Sequence, residues 1–171
     1  MSARIGKFSL VKWSRYTRTI AIHRLVQMVL CDEMSKSQKT SLQSSIVDLC
    51  DYVFPECTRE TRRPCQAHLD QVFDPLLRIT DICTLKSSDV KYKVGRFLHK
   101  DGKYVDSERI VTQAVEVRSK ILGPDHLQTL RVRGIVSMVV FERGHYVDAI
   151  RLDRYIWRSV RQSSEMRIPK R

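Results

Sequence analysis

Residues 99–110 read HKDGKYVDSERI and residues 141–152 read FERGHYVDAIRL. Slid by 42 positions (144 − 102 = 42), Gly102 falls on Gly144, Tyr104 on Tyr146, Val105 on Val147, Asp106 on Asp148 and Arg109 on Arg151. Ahead of them Val94 falls on Val136. Ordinary composition gives about one identity in a window of this size, so six identities mark an internal repeat. Similar units at a fixed period of roughly 20 to 50 residues point to a helical repeat array, in which each unit stacks on its neighbour. Such arrays bind other molecules and seldom carry out chemistry.

Each unit reads as a helix pair. Val94, Phe97 and Leu98 put apolar groups on one helical face, and Asp101-Gly102-Lys103 interrupts it. Glycine takes a positive φ at no steric cost, the usual way to stop a helix and turn back. The second helix is expected over residues 104–122, where Ile110, Ala114, Val117 and Ile121 recur at spacings of four, three and four. Gly123-Pro124-Asp125 ends it, and Asp125 is placed to cap the next helix, expected over residues 126–142. Gly144 repeats the turn, and residues 146–161 repeat the second helix. Tyr104 and Tyr146 are expected in the core at the turns.

The pattern Gly-x-Tyr-x-Asp, then a helix, then Leu-Gly-x-Asp-His-x-x-Thr-Leu stands here as Gly102, Tyr104, Asp106, Leu122, Gly123, Asp125, His126, Thr129 and Leu130. It resembles the tetratricopeptide repeats of kinesin light chains, a variant also common in fungal NOD-like receptor proteins. The resemblance covers roughly residues 88–162. Leu127 stands where the family usually has proline, and Ser107 where it has a small alanine, which Ala149 keeps in the second unit. Residues 21–27, Ala-Ile-His-Arg-Leu-Val-Gln, are similar to the end of the winged-helix segment that precedes the repeats in those receptors. The resemblance implies an all-α fold in the main. It would be an α-solenoid of antiparallel helix pairs forming a tetratricopeptide-like superhelix, with a small N-terminal β-hairpin.

The expected organisation follows. Residues 1–34 form a partial winged-helix tail, with alternating strands over 7–13 and 18–22 and a helix over 23–34. Residues 35–87 form a non-repeat helix pair, residues 88–162 hold the two repeats, and residues 163–171 are a basic tail. In the helix pair, Leu42, Ile46, Leu49, Cys50 and Val53 make one stripe, with Ser37 or Ser41 as cap. A further helix is expected over residues 64–83, kinked or broken at Pro75.

The chain has 171 residues and a net charge of +12. Arg4, Lys7, Lys12, Arg15, Arg18 and Arg24 carry half of that charge with no acid among them. A second basic group includes Arg151, Arg154, Arg158 and Arg161. Basic faces attract nucleic acid or acidic protein surfaces, but no recognised nucleic-acid motif accompanies the charge. No apolar run reaches membrane-spanning length, and the N-terminus lacks the apolar core of a signal peptide. The expected location is cytoplasmic, or nuclear by diffusion. Five cysteines with no Cys-x-x-Cys read as reduced core thiols, and the five histidines make no zinc spacing.

Enzyme motifs are missing. There is no Gly-x-x-x-x-Gly-Lys-Ser/Thr loop for phosphates and no Gly-x-Ser-x-Gly elbow. Cys65 and His68 lie three apart on one helix, where shared packing explains them without a third orienting group. No cofactor or metal is expected. In tetratricopeptide proteins the first helix of each pair lines a concave groove. That resemblance implies partner-binding positions at Tyr92, Lys93, Arg96, His99 and Lys100 in the first unit, and at Arg131, Ile135, Met138 and Phe141 in the second. The first group suits an acidic peptide. The expected function is a non-catalytic protein-interaction scaffold, as part of a receptor-type protein. The alternatives are a basic helical protein associated with nucleic acid, or a fragment without activity of its own. Trp157, on the last helix, marks an edge where the chain would associate with itself.

Overall fold

A computed structural model describes residues 11–16, 19–22, 29 and 32–165. Two short strands, β1 (Val11–Ser14) and β2 (Thr19–Ile22), pair antiparallel with Val11 opposite Ile22 and Ser14 opposite Thr19. Residues 7–10 of the expected first strand lie outside the described residues. So does the helix expected over 23–34, apart from Val29, Asp32 and Glu33, which are helical. Six helices follow: α1 (Lys36–Val53), α2 (Arg62–Arg78), α3 (Leu85–Lys100), α4 (Tyr104–Leu122), α5 (Leu127–Glu142) and α6 (Tyr146–Glu165). The chain divides into two compact units, residues 1–42 and 43–171. Among the described residues, no helix is long and apolar enough to cross a membrane.

The helix starts are set by local side-chain chemistry. Ser35, and neither Ser37 nor Ser41, caps α1. The Gln38 amide donates to Ser35 Oγ at 3.3 Å while Gln38 Oε1 accepts from the Ser35 amide at 2.9 Å. This reciprocal box satisfies two end donors at once. Thr84 caps α3 by accepting from the Ser87 amide at 3.2 Å. His126 caps α5 through Nδ1, 3.2 Å from the Gln128 amide. Asp125, expected to do this, instead accepts from Tyr155 Oη at 2.6 Å and Ser159 Oγ at 2.7 Å. The two hydroxyls, Tyr155 first, hold its carboxyl below the usual range.

The repeat holds down to single hydrogen bonds. Helix starts at 85 and 127, and at 104 and 146, differ by 42 (127 − 85 = 42; 146 − 104 = 42). After α3, Gly102 takes φ 77° and the Lys103 amide reaches the Leu98 carbonyl at 2.9 Å. After α5, Gly144 takes φ 84° and the His145 amide reaches the Val140 carbonyl at 3.1 Å. Both are the glycine-closed cap in which a positive-φ residue lets the chain return its amide to the last turn. With such short connections, α3 packs on α4, α4 on α5 and α5 on α6. The arrangement is that of a helical repeat, consistent with an α-solenoid.

Close approach within each pair relies on small residues. Ser107 Oγ donates to the Gly95 carbonyl at 2.8 Å, and 42 residues later Ser137 Oγ donates to the Ala149 carbonyl at 3.1 Å. The small residue and the hydroxyl have traded helices, so Ser107 fits where alanine is usual because glycine faces it. One core runs from Val47, Cys50 and Phe54 through Leu69, Val72 and Leu76 to Val94, Phe97, Ile110 and Val132. Phe54 meets Phe97 edge to face at 5.8 Å between centroids.

Three further expectations need correction. The helix expected to reach residue 83 stops at Arg78, one turn after Pro75, whose carbonyl takes the Ile79 amide at 3.2 Å. Ile79 and Ile82 are buried all the same, as plugs from an irregular loop, which is why their apolar character mimicked a continuing helix. The last helix runs to Glu165, past residue 161. Tyr104 and Tyr146 are not core residues: Tyr104 is half-buried and Tyr146 is exposed. Each rests its ring on the residue five before it, His99 at 5.9 Å and Phe141 at 5.0 Å.

Candidate functional site: a charged hollow between helices

On α3, the spacing of Lys86, Asp89, Tyr92, Lys93 and Arg96 sets five polar side chains on one helical face. With Gln128 and Arg131 from the start of α5, Asp51 from the end of α1, Glu56 from the loop after it, and Arg118 from α4, they line a hollow of about 420 Å³. Five cations face three carboxylates there.

Most of these charges are already matched. Lys93 Nζ lies 2.6 Å from Asp51. Lys86 Nζ lies 2.5 Å from Asp48 and 4.0 Å from Asp51, and the Asp48 carboxylate raises its ammonium above the ordinary value. Arg96 approaches Glu56 at 3.6 Å. Arg118 is buried, bonds Ser88 Oγ through Nε at 2.9 Å, and pairs with Asp89. Its guanidinium and that of Arg96 stand 5.8 and 5.6 Å from the Tyr92 ring centroid. Guanidinium groups over an aromatic face are attracted by the ring quadrupole, so Tyr92 ties both arginines to the floor of the hollow. Arg131 is exposed and makes no ion pair among the described residues.

Four of the nine positions implied by the resemblance therefore come together: Tyr92, Lys93, Arg96 and Arg131. The other five sit elsewhere. Lys100 donates to the Cys57 carbonyl at 3.2 Å beside a smaller hollow of about 170 Å³. His99 packs on Tyr104. Ile135 is half-buried against the core. Met138 and Phe141 are exposed further along α5.

Sequence reasoning missed Asp51, Glu56, Lys86, Arg118 and Gln128. Arg118 left a trace: it follows Ala114 by four and Val117 by one, a charge lodged in an apolar stripe. A cation in such a place needs fixed acceptors. The two carboxylates left none, because nothing in the spacing of α1 says which helix it will meet.

Burial pushes the Cys65 thiol up, away from the thiolate that nucleophilic chemistry requires. Its sulfur lies 3.5 Å from the Pro55 carbonyl oxygen. Cys50, Cys57, Cys65 and Cys83 are free thiols. Among the described residues, no cluster of three or more His, Cys, Asp or Glu is placed to hold a metal.

Residues 87–154 match the family model for the tetratricopeptide repeat. The match begins in α3 and ends within α6. No curated protein and no solved structure matches the chain. The family match and the 42-residue helical period together support a tetratricopeptide repeat protein, a class that mediates protein–protein contacts and acts as a non-catalytic scaffold.

Proposed function

We propose that this chain is a protein-interaction scaffold that holds an acidic peptide segment in the hollow between α1, α3 and α5. The observation that supports this most directly is Arg131, an exposed cation that enters no ion pair among the described residues, at the rim of a hollow with more cations than carboxylates. A peptide carboxylate meeting Arg131 forms a charge-assisted, two-pronged hydrogen bond. A second carboxylate would displace Glu56 from Arg96, which it approaches no closer than 3.6 Å. Lys86 and Lys93 are held by α1 and take a lesser part. The nearer likeness to kinesin light chains and to the winged-helix and repeat portion of fungal NOD-like receptors belongs to the same proposal, with a cytoplasmic or nuclear site of action.

The test is anisotropy of a labelled Asp/Glu-rich peptide titrated with the full chain. Arg131→Glu and Arg96→Glu should each weaken binding by about tenfold or more, as reversal of a paired charge does. Lys100→Glu, outside the hollow, should change it little. Equal loss in all three variants, together with a salt slope as steep as phosphate contacts produce, would move the reading to nucleic acid.

A further inference from the structure

The last helix leaves open a face that the preceding repeat covers. Moved back by 42 (150 − 108 = 42), Ile150 stands where α4 has Glu108, and Val160 where α4 has Arg118. Those two positions are where α4 receives α5. Glu108 pairs with Arg143, just beyond the end of α5, and Arg118 Nη1 donates to the Gln128 carbonyl at 3.1 Å. On α6 the same face is apolar, and nothing among the described residues covers it. Trp157 is 64% exposed, with Ile150 and Val160 exposed beside it. Their spacing of seven and three keeps them on one side of the helix.

The charges around this stripe restrict what can cover it. Arg154 and Arg158 are exposed and enter no ion pair among the described residues. Arg161 lies over the Trp157 ring at 5.5 Å. Where α5 meets α4, one ion pair joins them, Glu108 of α4 with Arg143 after α5, while Arg118 of α4 meets a backbone carbonyl of α5. On α6 the exposed cations Arg154 and Arg158 outnumber Asp153, the exposed carboxylate on the same side, three residues after Ile150 and four before Trp157. A second copy seated face to face would set more arginine against arginine than against carboxylate, and like charges in contact repel.

We propose that the outer face of α6 docks an amphipathic helix from another protein, with an apolar stripe over Ile150 and Trp157 and carboxylates reaching Arg154 and Arg158. The mode is a helix laid on an apolar strip and read through residues one turn apart. It continues the α4–α5 packing by one more step. This surface is separate from the hollow between α1, α3 and α5.

The probe is a labelled synthetic helical peptide with a leucine stripe flanked by glutamates, titrated into the full chain. Its partner probe is the same peptide with every glutamate changed to glutamine. Saturable one-to-one binding is expected. It should weaken by about tenfold or more with Trp157→Ala, with Arg154→Glu plus Arg158→Glu, and with the glutamine peptide. Arg131→Glu should leave it unchanged. All substituted positions are exposed, and circular dichroism of each variant checks that the helices remain. Binding that is indifferent to these changes would overturn the proposal, as would no saturable binding. Basic amphipathic helices also settle on anionic bilayers. Cosedimentation with phosphatidylserine vesicles in preference to the peptide would overturn it too, as would a dimer that Trp157→Ala abolishes.

Discussion

Lys91 is the residue least at ease in its surroundings. It is fully buried in the wall of α3, and its ammonium donates to the Ile79 carbonyl at 2.7 Å and to Gln113 Oε1 at 2.8 Å. Both acceptors are neutral. Burial therefore dominates and lowers its pKa from 10.5 to about 8, against a smaller upward pull from Glu116. In the unfolded chain Lys91 keeps its proton up to about pH 10.5, whereas in the fold it releases it near pH 8. Between these values the unfolded state binds more protons, so this residue's contribution to stability rises with pH. Below pH 8 both states are protonated and the contribution is level. Denaturant melts of the native chain and of Lys91→Met, from pH 7 to pH 10.5, should show the difference growing in favour of the native chain above pH 8. A constant difference across that range would mean that the ammonium is solvated better than its burial implies.

At the scale of elements, the glycines separate two roles that composition cannot distinguish. Gly95 lies inside α3, and a Cβ there would stand 2.1 Å from Val111 Cγ2 on α4. Gly134 lies inside α5 with nothing within 4 Å of the same position. Alanine favours a helix interior over glycine by about 1 kcal/mol. Gly134→Ala should therefore raise stability by roughly that amount. Gly95→Ala must displace the Val111 side chain or the helix that carries it, and overpacking costs about 1–3 kcal/mol, so its net effect should be a loss. Thermal melts of the two variants give the answer, and a gain at both positions would show that the α3–α4 contact yields without cost. The turns at Gly102 and Gly144 could be read from sequence because they recur at one period. Gly95 could not, because its counterpart is Ser137 and the small side chain has crossed to Ala149. Asp125 was misread for a related reason. Its place before a helix fits a cap, but Tyr155 and Ser159, some thirty residues on, both donate to its Oδ1.

At the scale of the molecule, the repeat period carries information only between elements that repeat. It gave the order and spacing of α3 to α6. It said nothing about α1, whose Asp48 and Asp51 turn an apparently basic face into a largely neutralised one. Stability should be graded in the same direction, since in stacked arrays each unit is held by its neighbours alone. The continuous core ends with Val132 on α5. Beyond it, Val139 and Val140 of α5 and Ala149 and Ser159 of α6 are buried among the described residues, while the other face of α6 is open to solvent. Local opening is cheapest where few apolar contacts are lost. Amide hydrogen exchange should therefore show α3 and α4 protected close to the global limit, with α6 exchanging at least about tenfold faster, a gap of some 1.4 kcal/mol. A helix docked on Trp157 would narrow that gap, because any ligand that binds only the closed form stabilises it by mass action. Protection in α6 equal to that in α4 without a partner would mean that the whole array opens as one unit, and that its outer face needs no cover to be stable.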